Sequence, residues 1–342
     1  MAADKGTELI HLTYDGNFQL DTDAKVLVCR VIDNDGKNND DDAQEQTIPV
    51  ELQLDVTTMH PQGGGQPTDK GTITANIEGA GVAPYSATIN KVTIDRATGI
   101  VTHAGTISMP SNSSLDTGFF PSSMNVKVSV NAANRLLLSE CHTAGHVVDS
   151  AMARCDKLLP PTKGYHFLDG PYVEYKGAID VKEREEFLGR LKVAYQVRLF
   201  HSIFRSIWID VGLGHEARSS TCLYLHVQSA KNIPSISYIH LNLGKIMKEL
   251  IDEDIPTNIQ TLPINEAESL CNRLAQNFNM KDFTSPTDPN PNVRVVTVAG
   301  WNCPCGGTHV RSTGALKERG WHVKGLRCKK GVVRIRYGPK EN

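Results

Sequence analysis

CHTAGHVVDSAMAR, residues 141–154, carries apolar side chains at Ala144, Val147, Val148, Ala151 and Met152, and Cys155 continues the series. Spacings of three and four are those of a helix with one buried stripe. His142 and His146 fall on the other side of that helix. At about 100° per residue they lie within about 40° of each other, so both imidazoles address one point in space. Two readings follow from the helix alone. Either the pair is a solvated surface feature, or it gives two ligands to a metal whose remaining ligands come from elsewhere in the chain.

WNCPCGGTHV, residues 301–310, offers the complement. Cys305 and His309 stand in a C-x-x-x-H spacing, and Gly306 and Gly307 permit the tight backbone that aims a thiolate and an imidazole together. Two histidines, a cysteine and a third histidine form a borderline-soft set that suits Zn²⁺ better than Mg²⁺ or Ca²⁺. Neither half is specific alone. Together they predict a zinc site of His142, His146, Cys305 and His309. Cys303 is too close to Cys305 for an ordinary disulfide and reads as a bystander.

Around these residues the sequence resembles a known family. HTAGH (142–146), KGYHFLDGPYVEYKG (163–177), CGGTHVRSTG (305–314) and GGGQPTDKG (63–71) look like the four signature blocks of the AlaX alanyl-tRNA editing proteins. Those proteins are stand-alone relatives of the editing domain of alanyl-tRNA synthetase. The likeness spans residues 20–195 and 244–337, and the GGGQP block points to the longer forms with an N-terminal domain. The resemblance implies a cytoplasmic, zinc-dependent hydrolase that removes serine or glycine wrongly attached to the tRNA for alanine. It implies a role for Thr162 in inspecting the bound amino acid, and places Gly64, Gly65 and Gln66 at the pocket entrance. A plain turn between strands is the other reading of that glycine run, which lacks the ending of a P-loop and the spacing of a dinucleotide site.

Zinc chemistry names a zinc-bound water as the nucleophile, with an open coordination position as its condition. Four protein ligands would close the tetrahedron, so one ligand must yield to substrate, or the metal must hold the substrate's amino or hydroxyl group. His166 reads as a half-buried strand histidine, or else as a base or a third imidazole.

The fold reading is α+β. VELQLDV (50–56) and MNVKVSV (124–130) alternate apolar and polar residues, and VTIDRATGIV (92–101) reads as two strands joined by a turn. These predict an N-terminal β-barrel-like domain over 1–130 carrying GGGQP. An α+β zinc-containing editing domain with an antiparallel sheet is expected over 131–342. Pro160 and Pro161 are expected to end the histidine helix, with an aromatic-rich strand pair after them. DNDGKNNDDD (33–42) reads as an acidic loop, since it lacks the flanking helices and closing Glu of an EF-hand. VKEREEFLGRLKVAYQ (181–196) and LGKIMKELIDEDIP (243–256) share one helical period, which makes 197–242 an atypical insertion outside the chemistry, of the kind an unspliced intron would produce.

The net charge of −2 is uninformative, but its distribution is not. Residues 1–56 hold thirteen Asp and Glu against four Lys and Arg, whereas residues 311–340 hold ten Lys and Arg against Glu318. A basic surface beside the metal motif suits a phosphate backbone, with Lys329, Lys330 and Arg334 as candidate tRNA contacts. A charge-protected strand edge is the plainer alternative. No apolar run is long enough for a membrane helix. Two functional alternatives stay open: editing of Ser-tRNA for threonine, and a non-catalytic tRNA-binding module with a structural zinc.

Overall fold

The computed structural model describes residues 6–32, 45–75, 85–110, 119–155, 157–179, 243–284 and 291–341. The acidic run 33–42, the helical flank 181–196 and the expected insertion 197–242 lie outside the described residues.

Two short strands open and brace the first unit, β1 (Glu8–Leu9) and, later, β4 (Val56–Thr57), which pair in parallel. The principal strands are β2 (Asp21–Val31), β3 (Glu45–Leu54), β5 (Gly71–Ala75), β6 (Ser86–Ile94), β7 (Val101–Pro110) and β8 (Asn125–Val130). They close into a barrel in the order β2-β3-β7-β6-β5-β8. Alternation drives the closure. Val50, Leu52 and Leu54 of β3 and Val126, Val128 and Val130 of β8 point inward, where they meet Ile73, Ile89 and Ile107 in one apolar core. Closure leaves no principal strand with an unpaired edge.

The helix read from CHTAGH is α1 (Ala132–Arg154). Asn131 caps it by accepting the Asn134 N–H at 2.9 Å. It ends at Arg154, where the Cys155 N–H returns to Ala151 and Met152, and so stops before Pro160 rather than at it. Pro161 instead begins β9 (Pro161–Tyr165), which forms a hairpin with β10 (Tyr172–Lys176). That hairpin joins β14 (His322–Lys329) and β15 (Val332–Gly338) in an antiparallel sheet ordered β14-β15-β10-β9. Between them lie α2 (Leu243–Asp252), β11 (Asn258–Pro263), α3 (Ile264–Cys271), β12 (Asn292–Val298) and β13 (Trp301–Pro304), and the three strands make a second antiparallel sheet.

The apolar stripe of α1 packs with Ile246, Met247 and Leu250 of α2 and with Val173, Tyr175, Val333 and Ile335 of the four-stranded sheet. This core is separate from that of the barrel. Yet α1 is not amphipathic in its surroundings, because every residue from Leu138 to Met152 is buried. Its polar side also faces protein.

What covers that side is held by a buried ion pair. The Arg135 guanidinium, 4% exposed, takes both oxygens of Asp69 at 2.5–3.1 Å and donates to the Thr58 carbonyl at 2.7 Å. Asp69 also accepts the His60 N–H at 2.6 Å. These bonds fasten the start of α1 to the segment between β4 and β5, which carries GGGQP.

Removing one partner of a desolvated pair strands the other charge, which costs about 3–5 kcal/mol. Asp69→Ala is therefore expected to lower the urea unfolding free energy by that amount. Glu253→Ala, which breaks the exposed pair with Arg154, should change it by no more than about 1 kcal/mol. Equal small losses would contradict this anchoring role.

Candidate metal centre

His142 and His146 project from α1 with their rings stacked at 5.1 Å and 17°. The loop after β13 brings Cys305 and His309 to the same place. One ligand atom from each of the four residues lies within 4.8 Å of all the others. Cys305 Sγ is 3.5 Å from His142 Nε2 and 3.4 Å from His309 Nε2. A tetrahedral zinc with ordinary N and S ligand distances needs ligand atoms roughly 3.3–3.8 Å apart, so these separations fit. A second observation points the same way. Both ring nitrogens of His146 are buried with no hydrogen-bond partner, although a buried polar atom ordinarily finds one. The three imidazoles are almost sealed from solvent, and Cys305 is the more open member.

The outer hydrogen bonds orient the rings. Gln66 Oε1 accepts the Thr308 N–H at 3.0 Å, and Gln66 Nε2 donates to Thr308 Oγ1 at 2.9 Å. That pair fixes which end of the amide meets His142 Nδ1, 2.7 Å away. His142 Nδ1 must then carry the proton, which leaves the Nε2 lone pair directed toward Cys305. His309 Nδ1 meets Thr143 Oγ1 at 3.2 Å, and Asn17 clasps the His309 backbone by bonds at 2.8 and 3.0 Å. His146 Nδ1 faces Asp149 Oδ2 at 3.4 Å, an ion-pair distance without hydrogen-bond alignment, while Tyr175 donates to Asp149 Oδ1 at 2.5 Å.

Burial, followed by the neighbouring imidazoles, holds His142 well below the usual histidine range. Burial, with His146 and Arg294 next, does the same for His309. That direction favours the neutral ring that ligation requires. At His146 burial opposes the proton, but Asp149 and Cys305 overcome it and raise the group to about 9. At Cys305 burial likewise disfavours charge, yet the nearby charge of His146, the Arg294 guanidinium and the Gly307 N–H together hold the thiol below its ordinary value. The surroundings thus favour charge on Cys305 and a proton on His146 over what burial alone would allow, and a divalent cation could take the place of that proton.

Two glycines make the approach possible. A Cβ at Gly145 would sit 2.5 Å from His166 Cε1 and 2.8 Å from the Tyr337 hydroxyl, and one at Gly307 would overlap the His142 ring. His166 stacks on His142 at 4.1 Å, shares a 2.5 Å hydrogen bond with Tyr337, and is lowered to about 3 by burial. Gly64 and Gly65 form the turn before Gln66, and the Gly65 carbonyl accepts the His166 N–H at 2.8 Å. Thr162 lies exposed on β9, and the hydrogen bonds of the cluster do not include it. Lys329 and Lys330 are exposed at the β14–β15 turn, whereas Arg334 is paired with Glu174 and lies 4.1 Å over the Tyr172 ring. Cys303 stays on β13, outside the four-residue cluster. Sequence reasoning missed Asp149, Tyr175, Asn17 and Arg294. Only Asp149, three residues after His146 on the same helix, left a readable spacing.

Comparisons with known proteins give the chain relatives. Residues 293–336 match the threonyl and alanyl tRNA synthetase second additional domain. The alanine-tRNA ligase of Methanopyrus kandleri is 25% identical over 84% of this chain and 23% of its own length. That of Methanobrevibacter smithii is 26% identical over 87% of this chain and 23% of its own length. The chain therefore spans about a quarter of the length of these curated relatives. The resemblance read from the motifs stands: this is a chain like the editing proteins related to alanyl-tRNA synthetase.

Outer partners of ligating histidines are typically worth 10–100-fold in metal affinity. Gln66→Ala is expected to weaken zinc binding by that factor in a chelator competition while leaving the circular dichroism spectrum unchanged. Unaltered affinity would remove Gln66 from the site.

Proposed function

We propose that this protein is an aminoacyl-tRNA deacylase that hydrolyses, in trans and in the cytoplasm, the ester of serine, and more weakly of glycine, wrongly attached to the tRNA for alanine. The observation that carries the reading is the cluster of three buried imidazoles and the Cys305 sulfur, assembled by a chain related to alanine-tRNA ligases. In this reading residues 1–130 and 131–342 are the two domains, and the pocket lies where they meet.

His142, His146, Cys305 and His309 would hold the zinc ion, which when bound supplies positive charge and Lewis acidity in a low-dielectric site. The chain's own groups do the rest. Gln66 and Asn17 hold the ligating residues in place before substrate arrives, so no reorganisation is needed at the moment of reaction. Cys305, the most open of the four, marks the side from which the ester enters. Gly64, Gly65 and Gln66 border that approach, and Thr162 is assigned to its outer rim. Gln66, Thr308 and Ser139 form a buried hydroxyl and amide chain next to His142. We assign to this chain the recognition of the serine hydroxyl, which alanine lacks. His166, neutral at pH 7 and bonded to Tyr337, positions the His142 ring rather than serving as the base. Lys329 and Lys330 are assigned to the tRNA backbone.

Purified protein should deacylate Ser-tRNA for alanine, lose that activity with chelation, and spare correctly charged Ala-tRNA by at least tenfold. His142→Ala should abolish turnover and leave tRNA binding near normal. A zinc-loaded protein inactive on Ser-tRNA would favour a binding module, and equal attack on Ala-tRNA would exclude proofreading.

A further inference from the structure

The outer face of the four-stranded sheet has a charge pattern that folding alone does not explain. Arg327 of β14 stands directly opposite Arg334 of β15, and Arg336 follows two residues along on the same face. Like charges at directly opposed positions destabilise a sheet. Only Arg334 is compensated, by Glu174; among the described residues Arg327 and Arg336 have no acidic partner in ion-pair range. The three guanidinium groups, the Tyr172 ring and Asp169, whose carboxylate accepts the Tyr165 hydroxyl, border a groove of about 490 Å³ that Gly325 also lines. A Cβ at Gly325 would meet nothing within 4 Å, so the space above it is open.

Aromatic rings continue the same face. Phe167 stacks on Tyr165 at 4.7 Å and 17°, Tyr165 stacks on Tyr172 at 5.1 Å and 19°, and the Arg334 guanidinium lies over Tyr172 at 4.1 Å. Lys163 adds a further cation 5.9 Å from the Tyr172 ring. Cations interleaved with stacked rings are what an unpaired nucleic-acid strand requires, because phosphates need charge and splayed bases need flat partners. A duplex keeps its bases stacked on each other and could use only the charges. His166, between Tyr165 and Phe167 in the chain, turns the other way and stacks on His142. The aromatic stack and the metal cluster therefore occupy opposite sides of the same short stretch.

We propose that this face seats a single-stranded RNA segment, the unpaired nucleotides that precede the ester-bearing terminal one of the substrate, with phosphates on Arg327 and Arg336 and a base in the groove beside Tyr172. The RNA identity rests on the deacylase reading above; the surface itself rests on the arginine register, the groove and the stack.

The test uses fluorescence anisotropy of the full chain with two RNA hairpins of identical stem, one blunt and one with a four-nucleotide unpaired 3′ tail, over a range of salt. Wild-type protein should prefer the tailed hairpin by at least tenfold. R327Q/R336Q should weaken tailed binding at least tenfold and reduce the salt slope by about one to two. It should also unfold no lower than wild type, since it removes a repulsion. Y172L, which keeps apolar bulk, should lose most of the preference for the tail. Equal binding of the two hairpins by wild type, or unchanged affinity and slope in R327Q/R336Q, would overturn the assignment. Deacylation measured in parallel separates the two ideas. A protein that binds the tail but cleaves no Ser-tRNA overturns the deacylase reading alone, and one whose R327Q/R336Q variant deacylates with unchanged KM overturns the surface alone.

Discussion

Three imidazoles and a cysteine sulfur whose ligand atoms lie within 4.8 Å of one another are expensive to bury. Each nitrogen or sulfur taken from water must find a partner, and a charge enclosed without compensation costs more than most single contacts return. The surrounding structure is arranged around this requirement. His142 and His309 each satisfy Nδ1 outward, through Gln66 and Thr143, and turn Nε2 inward. His146 keeps both nitrogens without a protein partner, and its proton is stabilised only by the nearby charges of Asp149 and Cys305. His146 is the residue of the cluster that protein alone leaves unsatisfied at both ring nitrogens, and a divalent cation would complete it.

The same requirement explains why the barrel and the α1 layer meet as they do. Gln66 belongs to the barrel's connecting segment and yet completes the orientation of a helix residue, and Asn17, from the turn before β2, clasps His309. The Arg135–Asp69 pair holds that junction in register. Function and packing share the interface: a shift of the GGGQP turn would release both Gln66 from His142 and the Gly65 carbonyl from His166.

Legibility followed locality. The period-two strands of the barrel could be read because Val50, Leu52, Leu54 and Val126, Val128, Val130 each bury one face, and the same holds for Val333 and Ile335, which alternate with the exposed Arg334 and Arg336. The four-residue cluster could be read because two ligands share one helical turn and two share one glycine-bearing loop. The burial of α1 on every side could not, since periodicity reports where apolar residues lie and is silent on whether the polar side meets water or another layer. The end of α1 at Arg154 was set by the Cys155 turn rather than by the prolines, which serve the start of β9. Gln66 was legible as part of a motif, but its bond to His142, 76 residues away, depends on tertiary closure. Asn17 and Tyr175 carry no local signal at all.

Zinc K-edge X-ray absorption on the purified protein tests the central claim most directly. The cluster predicts about one zinc per chain with one sulfur at about 2.3 Å and two or three imidazole nitrogens at about 2.0 Å, the sulfur shell disappearing in Cys305→Ser. A protein without zinc, or a shell without sulfur that is indifferent to that substitution, would contradict it.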